Sequence, residues 1–403
     1  MFDTSPGMFS DRNRRLSSSG TQAITVAVDQ LERQGIDIVD LGAGEPDFET
    51  PEHVKAAGIA AICNNFTKYT PNAGVEELRG AICARYREDY GISCSAANVI
   101  ATAGGKQALF NAAMVLSGSG DEVVTHAPGW PSLVEQIRIA EAVPIVVRTH
   151  KEDGFRLHAN AVLAAVTSKT KAIIINSPGN PTGSLVSEDA LVQIAEAAKD
   201  QGFWIVLDLC YERLVYEDVP HNLPGVLLQR IPDRFVLVGS LSKTYAMTGW
   251  RCGWAIGPGA FISACKVIQS HVTSNVSSIT QHAGIAALTG SQESVARMRE
   301  IYRGRRDQLM EWIRDELGIR CVRPGGAFYL FLDVSELLSP GGLRTSASLA
   351  EALLREAHVA VTPGEAFDAP GYLRLSYATS LERLREGVTR IRMFVQKFKN
   401  NNG

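Results

Sequence analysis

Ala172-Ile173-Ile174-Ile175-Asn176, a helical stretch from Glu188 to Gln201, and then Trp204-Ile205-Val206-Leu207-Asp208 decide the fold of this chain. Both apolar runs lack the polar alternation of a strand with one wet face, so each reads as a strand covered on both sides. Two such strands joined by a helical crossover pair in parallel. The same alternation extends in both directions. Upstream, Val99-Ile100-Ala101-Thr102 precedes a helical Gln107 to Leu116, Glu122-Val123-Val124-Thr125 precedes a helical Ser132 to Ala140, and Pro144-Ile145-Val146-Val147 follows. Downstream come Phe235-Val236-Leu237-Val238-Gly239 and Cys252-Gly253-Trp254-Ala255-Ile256. The expectation is an α/β protein whose large domain holds a mostly parallel seven-stranded sheet covered by helices. Ligands of such sheets sit outside the carboxyl ends of the strands, so the polar residues just after the strands are the candidate site.

The C-terminal part reads differently. A long helix is expected from Ser294 to Leu317, then a strand over Gly326-Ala327-Phe328-Tyr329-Leu330-Phe331-Leu332, a helix from Ser346 to Glu356, and Val359-Ala360-Val361. The alternating strand Tyr372-Leu373-Arg374-Leu375-Ser376-Tyr377 and a helix from Leu381 to Lys397 close the series. Short turns between these elements suggest a smaller α+β domain. The expected division is an N-terminal segment, 1–45, packed with the small domain, a large ligand-binding domain, 46–293, and the small domain, 294–403.

Composition excludes several function classes. Of 403 residues, 45% are hydrophobic and 21% charged, which is globular and not disordered. Lys and Arg number 40 against 43 Asp and Glu, so there is no basic footprint for nucleic acid or an anionic membrane. No apolar run approaches the roughly 18 residues of a membrane span. The start of the chain is polar and is not read as a secretory signal. Arg14-Arg15-Leu16-Ser17-Ser18-Ser19 has a transit-peptide flavour that Asp3, Asp11 and the missing apolar face weaken. The seven cysteines are scattered, without a CxxC, and the eight histidines show no ligand spacing, so neither a disulfide framework nor a metal is expected. The reading is a reduced, cytoplasmic protein of enzyme size.

Six places carry chemistry. Gly239-Ser240-Leu241-Ser242-Lys243-Thr244 resembles a phosphate loop, but Ser242 stands where a Walker loop needs glycine, so ATP is not expected. Ser240, Ser242, Lys243 and Arg251 still assemble two hydroxyls and two cations, a set suited to phosphate. Gly104-Gly105-Lys106-Gln107 opens a helix whose free N–H groups favour an anion. Asn180 sits in the loop Asn176-Ser177-Pro178-Gly179-Asn180-Pro181-Thr182-Gly183, rigid through two prolines, although such a loop alone reads as an ordinary turn. Asp208 ends an apolar strand, where a carboxylate needs a cation, hydrogen bonds or a helix to cap, and Tyr211 follows three residues on. Trp130, in Ala127-Pro128-Gly129-Trp130-Pro131, could stack on a flat ligand or lie in the core. Arg374 suits bidentate capture of a carboxylate, or faces solvent from the polar side of its strand.

Together these stretches resemble the fold-type-I pyridoxal-phosphate aminotransferases, in particular the bacterial aspartate aminotransferase branch of class I. The resemblance rests on Ala43-Gly44-Glu45-Pro46-Asp47-Phe48, Thr67-Lys68-Tyr69-Thr70-Pro71, Gly104 to Leu109, Asn176 to Gly183, Ser240 to Lys243 with Met247-Thr248-Gly249-Trp250-Arg251, and Arg374-Leu375-Ser376-Tyr377-Ala378. It implies that Lys243 holds pyridoxal 5'-phosphate and moves the substrate proton, and that Asp208 keeps the ring nitrogen protonated. It implies that Asn180 and Tyr211 bond the ring oxygen and that Trp130 stacks on the ring. Gly104, Gly105, Lys106, Ser240, Ser242 and Arg251 would form the phosphate cup. Tyr69 would reach the phosphate of a neighbouring subunit, implying a homodimer with shared sites. Arg374, helped by Asn180 and the backbone of Gly44, would clamp the substrate α-carboxylate, with Lys106 and Thr21 as candidates for the distal group.

Two departures qualify the resemblance. Asp208-Leu209-Cys210-Tyr211 replaces the usual Asp-Glu-x-Tyr, and Ser17-Ser18-Ser19-Gly20-Thr21 lacks the lysine of relatives with acidic substrates. The missing lysine counts against prephenate as acceptor more than against aspartate. The expected activity is transfer of an amino group from an L-amino acid, aspartate first, to 2-oxoglutarate by a ping-pong mechanism. Aromatic, alanine-like or prephenate substrates and a lyase on the same fold are the alternatives. A ligand-sensing regulator would need a DNA-binding module, for which the residues before Gly44 are too few.

Overall fold

The computed structural model describes residues 10–17, 20–216, 219, 221–338 and 343–402, without the side chains of 21–23 and 399–402. The strands are β1 (Val39–Asp40), β2 (Val99–Thr102), β3 (Glu122–Ala127), β4 (Val143–Arg148), β5 (Thr170–Asn176), β6 (Trp204–Asp208), β7 (Phe235–Ser240), β8 (Gly253–Ile256), β9 (Tyr329–Asp333), β10 (Val359–Ala360), β11 (Thr362–Pro363) and β12 (Tyr372–Ser376). Seven form one sheet in the order β2-β8-β7-β6-β5-β3-β4. Neighbours are parallel except at β8, which runs antiparallel to both β2 and β7. The reversal has a local cause. Residues 241–252 join β7 to β8 and hold only the helical turn Leu241–Thr244, too short to carry the chain back across the sheet.

Alternate residues of the central strands feed two cores. Ile173, Ile175, Ile205, Leu207 and Leu237 point into one, while Ala172, Ile174, Val206, Val236 and Val238 point into the other. This two-sided burial is what continuous aliphatic runs require. Leu237 is fully buried, so Leu237→Ala is expected to cost about 2–5 kcal/mol through lost contacts and a residual cavity.

A third core gathers around the antiparallel sheet β11-β12-β9 and includes Leu41, Tyr302, Phe328, Leu375 and Val388. β1 pairs in parallel with β10, and Arg383 and Arg390 both bond the Asp37 carboxylate just before β1. The helix Glu293–Trp312 continues as a π turn, Ile313–Leu317, and the last helix spans Leu381–Asn402. The strand expected from Gly326 begins only at Tyr329. Ala327 adopts φ 60°, which breaks the extended run, and the Gly325 and Gly326 N–H groups both donate to the Gly183 carbonyl. Among the described residues no helix is long and apolar enough to cross a membrane, and no group of three His, Cys, Asp or Glu could hold a metal ion.

Candidate active site

β5, β6 and β7 end together at Asn176, Asp208 and Ser240, and a cavity of about 550 Å³ opens beyond them. Its walls come from both sheets. Lys106, Trp130, Asn180, Cys210, Tyr211, Ser242, Lys243 and Arg251 enter from the large one, and Tyr329 and Arg374 from the small one. Sequence reasoning had assembled most of this set without knowing that the cavity exists.

One end is built for an anion. Gly105 begins the helix Gly105–Leu116, so the first backbone N–H groups have no acceptor within the helix and their dipoles point outward. Ser240 and Ser242 face each other, with Oγ atoms 2.8 Å apart, and the Ser242 N–H also donates to Ser240 Oγ at 3.1 Å. Arg251 closes the side, with Nη1 donating to the Thr248 carbonyl at 2.8 Å. Gly104 itself is outside the cavity lining. Its φ is +81°, and a Cβ there would lie 2.7 Å from Arg251 Nη2. Its part is to leave room for that guanidinium. Gly105 lines the cavity, and a Cβ there would lie 2.8 Å from Cys210 Sγ. Lys106 Nζ stands 4.9 Å from the centre of the Trp130 ring. Burial, with Arg251 nearby, pulls the Lys106 ammonium below its ordinary pKa.

The middle of the cavity holds the reactive groups. Lys243 lies in the turn Leu241–Thr244 directly after β7, and its Nζ donates to the Gly44 carbonyl. Burial lowers its pKa to about 8; Arg374 and Arg251 push the same way, against Cys210 and Glu45. Asp208 is 2% exposed. Its Oδ1 accepts the Cys210 N–H at 3.1 Å, and burial raises its pKa against the bonds from Cys210. No ion pair to Asp208 is formed among the described residues, so this buried carboxylate has hydrogen bonds but no protein cation beside it there. The Tyr211 and Tyr329 hydroxyls share a 2.8 Å hydrogen bond, and burial raises both phenols.

The far wall presents a guanidinium. Arg374 points inward from β12 and is 2% exposed, which removes the solvent-facing alternative. Nη1 donates to Asn180 Oδ1 at 3.1 Å, and Nη2 donates to the Gly42 carbonyl at 2.7 Å and to Thr362 Oγ1 at 3.2 Å. The guanidinium carbon lies 4.3 Å from the Tyr329 ring centre and 5.1 Å from that of Phe367. Nε is buried with no partner. An orphaned N–H on a held guanidinium is where an incoming carboxylate gains most. Asn180 is fixed in turn by Asn176, whose Oδ1 accepts the Asn180 N–H at 2.9 Å.

Tyr69 stands apart from this cluster. It is 92% exposed and does not line the cavity. Gly44 does line it and contributes its carbonyl. The side chain of Thr21, like residues 18 and 19, lies outside the described residues. Several site residues escaped sequence reasoning. Asp40 bonds the Gly42 N–H at 2.7 Å, Thr248 Oγ1 donates to Glu45 at 2.7 Å, and Tyr329, Thr362 and Phe367 surround Arg374. Asp40 had a signal, since it stands four residues before Gly44; Tyr329 read as one more strand aromatic.

The donor set fits pyridoxal phosphate chemically, with an anion cup, a buried carboxylate lacking a cation, a flat indole, a depressed lysine and an arginine with a free N–H. Comparison with known proteins agrees with this geometry. The family model for aminotransferase class I and II matches residues 36–391. The chain is 41% identical over 391 residues to an aspartate aminotransferase of Streptomyces avermitilis, covering 96% of each. It is 43% identical over 384 residues to an aspartate/prephenate aminotransferase of Thermus thermophilus, covering 94% of this chain and 97% of that one. Among solved structures, aspartate aminotransferase from Thermus thermophilus with maleate superposes with TM-score 0.90 at 41% identity, covering 96% and 99% of the two chains. The aspartate aminotransferase from Rhizobium meliloti also gives TM-score 0.90, at 36% identity, covering 97% and 99%. A match over most of the length, with every motif except Thr67 to Pro71 contributing to the cavity just described or lying beside it, makes this chain a member of the class I and II aminotransferases.

Proposed function

We propose that this aminotransferase uses pyridoxal 5'-phosphate to move the amino group of L-aspartate to 2-oxoglutarate in a ping-pong cycle. When bound, the cofactor supplies an electron-withdrawing ring that takes up the charge left at the donor Cα. The protein's residues do the rest. The N-terminus of the helix Gly105–Leu116, Ser240, Ser242 and Arg251 hold the phosphate end. Asp208 keeps a proton on the ring nitrogen, and that bound cation compensates the burial which otherwise raises the carboxyl pKa. Trp130 covers a ring face, and Tyr211 and Asn180 serve the ring oxygen. Lys243 would carry the cofactor and, as a free amine, would take the donor Cα proton and pass it to the cofactor carbon that keeps the amino group. A pKa near 8 leaves both of its forms populated at neutral pH. Arg374 fixes the α-carboxylate and thereby selects which Cα bond stands across the ring.

The observation that carries the aspartate reading is the placement of two cations, Arg374 and Lys106, on the walls of one cavity. They suit a substrate with two carboxylates, and relatives named for aspartate share the fold. A donor panel with 2-oxoglutarate tests it: aspartate should form glutamate faster than alanine or phenylalanine. Lys106→Ala should lower kcat/KM for aspartate by about one to two decades, the worth of one charge-assisted bond, and leave alanine within a few-fold. Equal losses for all donors would discard aspartate and keep transamination. S-methylcysteine, which has a leaving group on Cβ, tests the lyase alternative: release of methanethiol, pyruvate and ammonia without consumption of 2-oxoglutarate would favour it.

The same reading makes the active unit a homodimer of this chain. Tyr69 has no role in its own cavity, and its loop abuts the helix Gly259–Val272, where Asn72 Nδ2 donates to the Lys266 carbonyl at 2.9 Å. Val267 and Val272 on that helix are 61% and 54% exposed, as befits a face that a second copy covers. The division 1–45, 46–293 and 294–403 draws support from the small sheet's own core, which includes Val39 and Leu41 of the first segment, although Tyr211, Leu214 and Tyr216 also join it. Seven cysteines in the thiol form suit a reducing cytoplasm.

A further inference from the structure

The helix Glu76–Tyr90 ends at Gly91, whose φ of 67° turns the chain back along the helix it has just left. The return brings Cys94 against Cys83, 11 residues earlier, with the two sulfurs 2.9 Å apart. A disulfide sulfur pair stands at about 2.05 Å, so less than an ångström separates this contact from a bond. Cys83 is buried among aliphatic side chains at the edge of the large core, while Cys94 is partly exposed. Neither lines the active-site cavity, and the transamination chemistry uses no thiol at this place.

We propose that Cys83 and Cys94 form a reversible oxidation site that takes a small hydroperoxide and closes to a disulfide. The Cys83 thiolate attacks one peroxide oxygen; an S–O bond forms, the O–O bond breaks, and the other oxygen leaves as water or an alcohol. Cys94 sulfur then displaces the oxygen on Cys83 as water, forming the S–S bond. The two thiol protons end on the two departing oxygens, two sulfurs lose one electron each, and the peroxide gains both.

The surroundings favour Cys83 as the sulfur that reacts first. The Cys94 thiol donates to it, and that contact, with the Arg87 and Arg79 guanidiniums, holds Cys83 below its ordinary pKa against the effect of burial. Cys94 is shifted upward, chiefly by the same contact, so it serves as the resolving thiol. A thiolate next to a protonated partner is the arrangement that peroxide-sensitive pairs need. In a reducing compartment the pair rests as two thiols and is closed only by oxidant. Closure would tie the helix Glu76–Tyr90 to the segment that leads into β2 and on to the phosphate cup.

The experiment uses the full-length holoenzyme, reduced and freed of reductant. It is treated with a few equivalents of hydrogen peroxide, freed of peroxide, unfolded in guanidinium with N-ethylmaleimide so that the buried Cys83 is alkylated if it is still a thiol, and digested with trypsin without reduction. Cleavage after Arg79, Arg85, Arg87 and Lys106 puts Cys83 in the peptide 80–85 and Cys94 in the peptide 88–106. The expected result is a linked pair of these peptides, two hydrogens lighter than their sum, with both maleimide adducts lost and both regained after dithiothreitol. In Cys94→Ser, dimedone should instead trap a sulfenic acid on Cys83. Retention of both adducts after the exposed Cys63 has been oxidised would overturn the proposal. Cross-links that join either cysteine to a different partner would overturn it equally.

Discussion

Replacing Arg374 by lysine keeps a positive charge and removes the planar fork, so it isolates what the geometry of the guanidinium contributes. Arg374 is already bonded to Asn180, Gly42 and Thr362, and its Nε lacks a partner. A carboxylate bound here meets two parallel N–H groups once it displaces the longer Nη2 bond to Thr362 Oγ1. Each charge-assisted bond is worth about 1.5–3 kcal/mol, so the pair supplies about 3–6 kcal/mol. A lysine ammonium recovers part of one bond and loses the packing on Tyr329 and Phe367. It also leaves the Asn180 and Gly42 oxygens short of donors. A net loss of about 3 kcal/mol, or roughly two decades in kcat/KM, is the expected result. The α-carboxylate is common to every substrate, so the loss should be alike for aspartate, glutamate and alanine, and for 2-oxoglutarate in the second half-reaction. Steady-state kinetics with each donor read it, with circular dichroism to confirm the fold. A loss below tenfold, or one confined to dicarboxylic donors, would show that Arg374 does not hold the α-carboxylate.

Lys243 has a pKa lowered to about 8, and only its neutral amine attacks a carbonyl. Attachment of pyridoxal phosphate to the apoprotein, trapped by borohydride and mapped to Lys243, should therefore quicken as pH rises with a midpoint near 8; a midpoint above 10 would mean that burial does not tune this amine. Asp208→Asn preserves shape and removes charge, so kcat should fall by two decades or more with the fold intact; a change in KM alone would reduce Asp208 to a positioning group. Mixing Tyr69→Phe chains with Lys243→Ala chains should recover activity above either parent, because one site of each hybrid is whole. No recovery after proven subunit exchange would place Tyr69 in its own subunit's site.

Legibility in the sequence followed the physical range of each interaction. The runs at β3, β5, β6 and β7 were readable because double-sided burial leaves an uninterrupted aliphatic signature, and the edge strand β4 was readable although it is only partly covered. The direction of β8 was not readable, since strand polarity depends on the path of residues 241–252 and not on composition. Ala327 looked like a strand residue and took a positive φ, because glycine contacts at Gly183, distant in sequence, set its backbone. Lys243, Asp208 and Asn180 were legible because each breaks an apolar strand or rigidifies a loop at the sheet edge. Tyr329 and Thr362 were not. They matter only through Arg374, and nothing local marks a residue whose partner arrives from another strand.

The least legible feature is how the two sheets are held in register at the site. Lys243 follows β7 of the large sheet and Arg374 lies on β12 of the small one, yet both donate to the same three-residue stretch. Arg374 Nη2 meets the Gly42 carbonyl and Lys243 Nζ meets the Gly44 carbonyl. Asp40 fixes that stretch by accepting the Gly42 N–H, and β1 anchors it through its pairing with β10. In the proposed reaction a substrate bridges the same two cations, with its α-carboxylate at Arg374 and its α-carbon within reach of Lys243. The Gly42–Gly44 backbone therefore sets the spacing that the substrate has to match. Glycine at both ends lets carbonyls approach the cations without a side chain between them. It also explains why a segment far from either strand in sequence carries one of the family's motifs: its oxygens hold the reactive amine and the carboxylate clamp at a fixed separation before any ligand arrives.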